Sequence, residues 1–262
     1  MSPLVSVILP VHRYDRFLDE AILSILNQTY NNLELLIMVN GEEREEIYTH
    51  LITNFDDSRI RIMNTAIGQL PFVLNYGIEI AKGQFIARMD ADDISLPERI
   101  ETQVSFLLEN ECYGFIGTAY ALINEDGDIL RKVNVNIDSD IIKKKLMVGN
   151  QFAHPTVMFR KKIITKCRGY AYGFFAEDYE LFIRLMYEYN VRATNLDSVL
   201  LCYRLHDKQL TNMVQKKINN AYIYALSVLC IFKYKNIGFI FSSIWQLKIT
   251  QSVYSSIKRI FK

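Results

Sequence analysis

Short apolar runs that alternate with helical periodicity are the feature that most restricts how this chain can fold. Five segments have the β-branched and aromatic content of buried strands, and they are residues 4–9, 33–39, 59–63, 84–89 and 114–121. Between them, helical spacing of apolar residues occupies 15–27, 43–54, 70–81 and 97–109. Alternation of this kind predicts an α/β fold with a Rossmann-like, mostly parallel central sheet and helices on both of its faces.

The second half of the chain carries weaker signals. Residues 124–128, Asn-Glu-Asp-Gly-Asp, predict a hairpin turn. Residues 138–147 and 177–189 have helical periodicity, whereas 191–203 reads as extended. We expect one body over residues 1–207, followed by a helical extension over residues 208–262.

The extension differs from the body in charge. Residues 208–262 carry nine of the 30 Lys and Arg residues and none of the 29 Asp and Glu residues, which leaves 21 basic and 29 acidic residues in 1–207. An acidic body with a basic tail is not the charge pattern of a nucleic-acid-binding protein, whose basic surface lies on the folded domain. We therefore expect no nucleic-acid partner.

Two interpretations of the extension remain open. Residues 212–235 and 237–262 have the apolar content and length of a helical pair that packs on the body. Alternatively, the second segment is an interfacial helix attracted to anionic lipid. The aromatic and aliphatic residues that favour this alternative are Phe239, Phe241, Ile244, Trp245, Ile249, Ile257, Ile260 and Phe261, beside Lys248, Lys258, Arg259 and Lys262.

Targeting signals and cysteines indicate the compartment. The first apolar run lacks a basic leader and stops at Pro10, so it predicts a strand and not a signal peptide. No stretch reaches the ~18 apolar residues expected of a membrane span. The four cysteines, at positions 112, 167, 202 and 230, form no paired motif, which argues for reduced thiols and against a zinc site. We expect a cytoplasmic protein that is peripheral at the inner face of the cell membrane.

Three carboxylates, those of Asp90, Asp92 and Asp93, follow the fourth apolar run. Because strand side chains alternate, Asp90 and Asp92 are expected to leave the backbone on one side. Carboxylates this close repel unless a cation compensates them, and hard oxygen ligands suit Mg²⁺ or Mn²⁺. The alternative is a solvated acidic turn in which Asp93 or Ser95 caps the helix that opens at Pro97, and the two interpretations are compatible.

A second acidic pair, Glu177 and Asp178, opens a segment with helical periodicity. Alone, such a pair is most often a cap or a dipole partner. Together with the first cluster, however, four ordered stretches resemble the family-two glycosyltransferases, which are inverting nucleotide-sugar enzymes with the GT-A fold. The four are residues 5–12, residues 21–30, the DxD motif Asp90-Ala91-Asp92-Asp93 and the Glu177-Asp178 motif, within a resemblance that spans about residues 4–206.

The resemblance implies a metal site. A DxD carboxylate of such enzymes holds a divalent cation, Mn²⁺ or Mg²⁺, against the departing diphosphate. This role falls to Asp92, with Asp90 near the ribose or the metal and Asp93 as a further carboxylate of the loop. His206 occupies the position of a histidine that joins the metal or the diphosphate in many GT-A enzymes.

The resemblance also implies an acceptor side. The Asp of the Glu-Asp motif, here Asp178, takes the role of the general base that an inverting transfer requires. Glu177 helps to place the acceptor or the donor sugar. His154, in the stretch from His154 to Arg160, matches a recurrent family segment that faces the acceptor.

Seven residues are implied as contacts of the nucleotide sugar, namely Pro10, Val11, His12, Asn40, Asn75, Arg88 and Asp90. Two short segments depart from the family. Asn40 and Gly41 stand where an acidic pair precedes Gly and Ser, and His12 and Arg13 replace the more frequent Tyr-Asn. Asn40 still offers a donor and an acceptor to a base edge, so a uracil pocket is predicted. Helix packing is an alternative role for Asn75, and Arg88 either pairs with the acidic cluster or approaches the phosphates.

These residues predict an inverting, metal-dependent glycosyltransferase. The expected donor is a nucleotide sugar, UDP-linked, and the expected acceptor is a glycan or a lipid-linked saccharide in cell-surface polysaccharide synthesis, such as that of capsule or lipopolysaccharide. One alternative is a non-catalytic nucleotide- or carbohydrate-binding protein of the same fold, against which the intact Asp90, Asp92 and Asp178 argue. Another is a nucleotidyltransferase, which would carry a basic glycine-rich signature near the first strand, where residues 9–12 read Leu-Pro-Val-His.

Overall fold

The computed structural model describes residues 2–171, 176–206 and 213–241, the side chains of 213–219 excepted. The strands are β1 (Val5–Val11), β2 (Leu33–Asn40), β3 (Ile60–Thr65), β4 (Phe85–Arg88), β5 (Ile94–Ser95), β6 (Tyr113–Ile123), β7 (Ile129–Val133), β8 (Met158–Arg160) and β9 (Arg192–Arg204). The α-helices are α1 (Leu18–Leu26), α2 (Arg44–Asn54), α3 (Leu70–Ile80), α4 (Arg99–Glu109), α5 (Ser139–Leu146), α6 (Lys161–Lys166), α7 (Glu177–Ile183) and α8 (Met213–Tyr234). Short 3₁₀ turns at His154–Thr156 and Ile237–Phe239 and a π-helical turn at Arg184–Glu188 complete the elements.

The strands form one sheet in the order β3-β2-β1-β4-β8-β6-β9-β5, with β7 paired to β6. Neighbours are parallel from β3 to β4 and between β6 and β9, whereas β8, β7 and β5 pair antiparallel to their neighbours. The α/β class is confirmed, and the antiparallel pairs make the carboxyl-terminal half of the sheet mixed. A hairpin explains β7, because a tight turn can join only antiparallel strands.

Helices cover both faces of the parallel half. Alternate residues of β1 contribute to two separate cores, with Val7 and Leu9 on one side and Ile8 on the other. All eight residues of β2 are buried. A strand buried on both faces carries a continuous apolar run instead of an alternating one, which is why the first strands were readable from the sequence.

The parallel strands bring separate segments together at one edge of the sheet. The carboxyl ends of β1, β2 and β4 are neighbours, so the residues after Val11, Asn40 and Arg88 meet there. Gly41 makes this approach possible. It has a φ of 88°, and a Cβ atom at this position would lie 2.8 Å from the backbone oxygen of His12.

The first part of the extension packs on the body. The predicted helix over 212–235 is confirmed as α8, and Leu226 and Cys230 on its inner side join one of the two cores. The interfacial-helix alternative placed Phe239 on a lipid-facing surface, and for this residue it is wrong, because the side chain is fully buried against the rings of Tyr187 and Tyr234 at 5.1 and 6.1 Å. Among the described residues, no helix combines the length and the apolar character needed to cross a bilayer. The predicted helical residues 242–262 lie outside the described residues, and the domain boundary at 207 stays a prediction.

Candidate active site

The acidic cluster lies in the turn that leaves β4. Asp90, Asp92 and Asp93 each contribute one carboxylate oxygen, and these three oxygens lie within 4.8 Å of one another. Asp93 is buried, and its Oδ1 accepts a hydrogen bond from the backbone N–H of Arg204 at 2.9 Å. Its buried Oδ2 has no hydrogen-bond partner within the described part of the chain. Burial raises the pKa of Asp93 well above its ordinary value, and the neighbouring Asp90 and Asp92 raise it further.

Asp92 contacts a residue from the far end of the fold. The Nε2 atom of His206, just after β9, lies 2.9 Å from Oδ2 of Asp92. The imidazole is only 4% exposed and packs on the ring of Phe17 with 5.4 Å between centroids. Carboxylate oxygens with one imidazole suit Mn²⁺ or Mg²⁺. A cation would also provide a partner for the buried Oδ2 of Asp93, which has no hydrogen-bond partner among the described residues. The residues therefore fit the predicted cation, with Asp92 and His206 as its nearest holders.

Arg88 is close enough to both acidic groups for its charge to act on their carboxylates. Its guanidinium is buried and forms an ion pair with the carboxylate of Asp90, as one of the two sequence-based interpretations required. Burial raises the pKa of Asp90, while this ion pair opposes the rise. The same positive charge also opposes the rise that burial causes in the pKa values of Glu177 and Asp178. One buried cation thus acts on both carboxylate groups.

Arg204 fixes the turn of the acidic cluster, and sequence reasoning missed it. Its side chain is buried, and Nε donates to the backbone oxygen of Asp92 at 2.9 Å. The guanidinium also donates to the backbone oxygen of Glu125 at 2.8 Å and lies over the ring of Phe17 at 4.3 Å. No local pattern distinguishes such an arginine from a surface charge, because its partners come from three distant segments.

A cleft of about 330 Å³ opens beside the acidic cluster. Its lining comes from the ends of β1, β2, β4 and β9, and includes the predicted Pro10, His12, Asn40, Arg88, Asp90, Asp92 and His206. Tyr203, which the sequence did not single out, lines the same cleft. Val11 does not line it, because that side chain is buried in one of the two cores.

Asn40 uses its amide hydrogens on the protein itself. The Nδ2 atom donates to the backbone oxygens of Val11 at 3.0 Å and Met38 at 3.1 Å, and the residue is 3% exposed. The side chain thereby fastens the end of β1 to β2. Both amide hydrogens are used in this way, so the amide oxygen is the atom of Asn40 that suits a base edge.

Asn75 lies outside the cleft and holds a turn. Its amide accepts from the backbone N–H of Tyr170 and donates to the backbone oxygen of the same residue, both at 2.8 Å. Gly169 precedes this contact with a φ of 63°, and a Cβ atom there would lie 2.1 Å from Oδ1 of Asn75. These contacts favour the packing alternative for Asn75.

His154 lies in the 3₁₀ turn before β8 and is 9% exposed. Its Nε2 atom is 2.7 Å from the hydroxyl of Tyr170, and its ring meets that of Phe182 edge-on. Burial lowers the pKa of His154 well below its ordinary value, and the charge of Arg88 lowers it further, so the imidazole is neutral at pH 7. Contact of His154 with an acceptor stays a prediction.

The second acidic pair opens α7 after Ala176, which has a left-handed φ of 56°. Burial and the neighbouring Asp178 raise the pKa of Glu177 to about 7. Burial also raises the pKa of Asp178. The carboxylate of Asp178 accepts from the backbone N–H of Tyr179 at 2.7 Å and from Nδ2 of Asn150 at 2.8 Å. A half-buried carboxylate with a raised pKa is better matched to accepting a proton near pH 7 than an exposed one.

The two acidic groups therefore differ in their chemistry. The Asp90–Asp93 cluster, with His206, borders a cleft and carries a donor set for a hard cation. The Glu177–Asp178 pair does not line that cleft. Its carboxylates have raised pKa values, as those of Asp90 and Asp93 do, and the Asp178 carboxylate accepts hydrogen bonds from Tyr179 and Asn150. Such a division suits a reaction in which negative charge grows at one place and a proton is removed at another.

Comparisons with known proteins show which family this chain resembles. The family model described as "Glycosyl transferase family 2" matches residues 6–169. The chain is 45% identical over 212 residues to the O-antigen biosynthesis glycosyltransferase WbnJ of Escherichia coli, covering 78% of this chain and 81% of that protein. It is 26% identical over 217 residues to WfgD of Escherichia coli, the UDP-Glc:alpha-D-GlcNAc-diphosphoundecaprenol beta-1,3-glucosyltransferase, covering 82% of each chain.

A solved structure shares the fold at low sequence identity. The mannosyltransferase PcManGT of Pyrobaculum calidifontis, in complex with GDP-Man and Mn²⁺, superposes with a TM-score of 0.69 at 12% identity and covers 99% of this chain and 76% of that one. This likeness confirms the predicted GT-A fold. The family match over more than half of the sequence, together with the identity to WbnJ, shows that the chain belongs to glycosyl transferase family 2 and is a glycosyltransferase.

Proposed function

We propose that the protein is an inverting, metal-dependent glycosyltransferase that uses a UDP-linked sugar. The observation that carries the proposal is the contact between Asp92 and His206 at the edge of the cleft. Residues 114 positions apart in the sequence meet there, and they have the chemistry of a cation site.

The residues at the cleft would bind the donor. Asp92 and His206 would hold Mn²⁺ or Mg²⁺, which when bound neutralises the charge of the leaving diphosphate. Asp90 would face the ribose or the cation, and its ion pair with Arg88 keeps it oriented. Asp93 would stay in the turn, where it accepts the N–H of Arg204. Pro10, His12 and the amide oxygen of Asn40 would border the base.

The residues of the second acidic pair would activate the acceptor. Asp178 would accept the proton of an acceptor hydroxyl while that oxygen bonds to the anomeric carbon and the bond to the diphosphate breaks on the opposite face. The sugar would leave with inverted configuration. Glu177, with a pKa near 7, would hydrogen-bond the acceptor or the donor sugar, and His154 would support the acceptor side through Tyr170.

The substrate classes are supported by the relatives. WfgD is named for a UDP-linked donor and a diphosphoundecaprenol-linked acceptor, and WbnJ for O-antigen biosynthesis. We therefore propose a glycan or lipid-linked saccharide acceptor in cell-surface polysaccharide synthesis.

We also propose a peripheral location at the inner face of the cell membrane. Exposed apolar side chains beside basic ones favour contact with anionic lipid. Phe232 is 77% exposed, Ile237 75% and Phe241 61%, and Lys233 and Lys235 lie between the first two in the sequence.

A donor panel tests the proposal. The full chain is incubated with Mn²⁺ and UDP-glucose, UDP-galactose, UDP-N-acetylglucosamine or GDP-mannose, and release of the nucleotide diphosphate is followed. We expect slow hydrolysis of a UDP-sugar, because water replaces the missing acceptor. Asp92→Ala should abolish this release and lower the Mn²⁺-dependent affinity for UDP at least about tenfold in calorimetry, because the diphosphate loses its cation.

The matched control is Asp56→Ala, which removes an exposed aspartate from the α2–β3 connection and should behave as the wild type. Unchanged Mn²⁺-dependent affinity in Asp92→Ala would rule out the assigned ligand. Binding of UDP-sugars by the wild type, with no release and no transfer to any saccharide acceptor, would instead favour the non-catalytic alternative.

A further inference from the structure

Among the described residues, each oxygen of the Asp178 carboxylate accepts a hydrogen bond from another residue. Oδ1 accepts from the N–H of Tyr179 within the first turn of α7 at 2.7 Å. Oδ2 accepts from Nδ2 of Asn150 at 2.8 Å, a contact that crosses from the turn between α5 and β8. The backbone donor is supplied by the helix whatever the side chains are. Asn150 is therefore the contact that a substitution can remove without changing α7.

The orientation of the Asn150 amide is set by a second contact. Its Oδ1 accepts from the backbone N–H of Phe152 at 3.2 Å. An asparagine that accepts through its oxygen presents its amino group to the other partner, which a carboxylate requires. The opposite amide orientation would place two oxygens against each other at Asp178 and two N–H groups at Phe152.

The segments that carry Asn150 and Asp178 both pack against the same aromatic core. Phe152 is buried, and its ring lies 4.9 Å from that of Phe115 and 5.0 Å from that of Phe182. Phe182 belongs to α7, the helix that carries Asp178. Packed rings therefore hold together the two segments that carry Asn150 and Asp178, although Asn150 itself is exposed.

We propose that Asn150 is the positioning residue of Asp178, holding Oδ2 through its amide N–H so that the carboxylate stays ionised and keeps one orientation toward the acceptor hydroxyl. This inference rests on the proposed role of Asp178 as the general base. Asn150 acts through Asp178 and is not itself assigned any contact with the reacting atoms.

Several titratable groups lie near Asp178, so a test must separate the effect of Asn150 on the pKa of Asp178 from their effects. Among the described residues, Arg88 faces it from β4, Glu177 adjoins it on α7, and Tyr170 faces it from the turn after α6. Arg88 and the amide of Asn150 lower the pKa of Asp178, whereas burial raises it. Removal of Asn150 alone leaves the charges of Arg88 and Glu177 in place.

The experiment titrates Asp178 directly in the full chain. The protein is labelled with aspartate carrying ¹³C in the side-chain carboxyl group, and the Asp178 resonance is identified by its loss in Asp178→Asn. We expect Asn150→Ala to move the titration midpoint of Asp178 up by about one pH unit, because a hydrogen bond to the charged form is lost. Asn150→Asp, which is isosteric, should move it further, because two carboxylates then face each other.

Activity is measured on the same variants as hydrolysis of the UDP-sugar that the wild type uses. We expect Asn150→Ala to lower the rate on the order of tenfold, because the base loses its fixed orientation. The matched control is Gln151→Ala, whose Nε2 donates to the backbone oxygens of Gly149 and Asn150 and so braces the same turn without touching Asp178. The control should leave the Asp178 midpoint unchanged.

The outcomes separate this inference from the proposed function. An unshifted midpoint in Asn150→Ala, or an equal shift in Gln151→Ala, would overturn the role of Asn150 while leaving Asp178 as the base. Full hydrolysis by Asp178→Asn would overturn the base assignment, and the role of Asn150 with it. Slow hydrolysis by Asp178→Asn together with the predicted shift in Asn150→Ala would support both.

Discussion

Asn40→Asp replaces the side-chain NH₂ group by an oxygen, and the effect of this change on stability can be worked out from the structure. The native amide donates two hydrogen bonds, to the backbone oxygens of Val11 at 3.0 Å and Met38 at 3.1 Å, from a residue that is 3% exposed. A carboxylate has the same shape but only acceptor atoms, so the variant sets an anion against two carbonyl oxygens. The substitution is informative because Asn40 stands where the family resemblance leads us to expect an acidic residue.

The expected cost has two parts. Loss of the two hydrogen bonds contributes about 1 kcal/mol each, and burial of an unsatisfied acceptor contributes about 1–3 kcal/mol more. We therefore expect Asn40→Asp to lower the free energy of unfolding by about 3–5 kcal/mol at pH 7. Asn40→Ala loses the bonds without adding a charge, so it should lower the free energy of unfolding by about 2 kcal/mol.

The pH dependence gives the sign of the electrostatic part. The folded state disfavours the anion at this position, so it raises the pKa of the new carboxyl group above its unfolded value of about 3.9. A protonated carboxyl group can donate to one of the two carbonyl oxygens. The difference from the wild type should therefore be smallest below about pH 4 and should grow as the pH rises.

Urea denaturation of the full chain, followed by far-UV circular dichroism at pH 4 and pH 7, measures these differences. The matched control is Asn31→Asp, which makes the same chemical change in an exposed residue of the turn before β2 and should shift the free energy of unfolding by less than about 0.5 kcal/mol. An Asn40→Asp variant as stable as the wild type at pH 7 would refute the assignment of the amide hydrogens of Asn40 to the two backbone oxygens.

Two further perturbations test the turn of the acidic cluster and the extension. Arg204→Met should lower the free energy of unfolding by about 2–4 kcal/mol, measured in urea, because backbone oxygens of two loops lose a buried donor. Arg16→Met breaks an exposed ion pair with Glu125 and a contact with the ring of Phe17, and should change the free energy of unfolding by less than about 1 kcal/mol. Equal losses in the two arginine variants would contradict this difference. The full chain should sediment with anionic liposomes at low salt and be released at high salt. The double variant Phe232→Ser/Ile237→Ser should bind the liposomes more weakly. Its stability should be unchanged, because both residues are at least 75% exposed. Full-length protein that ignores anionic liposomes at low salt would contradict the membrane proposal.

The elements that the sequence predicted well are those whose signal is local. Strands β1, β2 and β4 are buried on both faces, so their apolar runs are continuous and their ends are marked by polar residues. Asp90, Asp92 and Asp93 follow such a strand directly, and their proximity needs no tertiary information. The strands that were missed, β5 and β8, have only two and three residues, which is too short for a periodic pattern to show. The second strand of the hairpin predicted at residues 124–128 is β7.

The contacts that the sequence could not predict depend on tertiary packing. Arg204 meets the backbone of residues 92 and 125, and Asn150 reaches Asp178 across 28 positions, so no spacing rule relates these pairs. Asn40 was predicted to contact the base because an amide suits a base edge, whereas for Asn75 the family resemblance implied a nucleotide contact and helix packing was the alternative. In the structure the amide groups of both residues bind the backbone of the protein. Periodicity also left open which side of the extension packs inward, and for this reason Phe239 was placed on the wrong surface.

The central claim is that two separate acidic groups serve one reaction, with the cation at Asp92 and the base at Asp178. The most direct test is the ratio of turnover to donor affinity in Asp178→Asn, using the UDP-sugar that the wild type hydrolyses and UDP calorimetry with Mn²⁺. We predict that turnover falls by about two orders of magnitude or more while the affinity for UDP is nearly unchanged, because the substitution keeps the size of the side chain and removes only its basic function. Normal turnover in this variant would contradict the account and would direct the search for the base to Glu177.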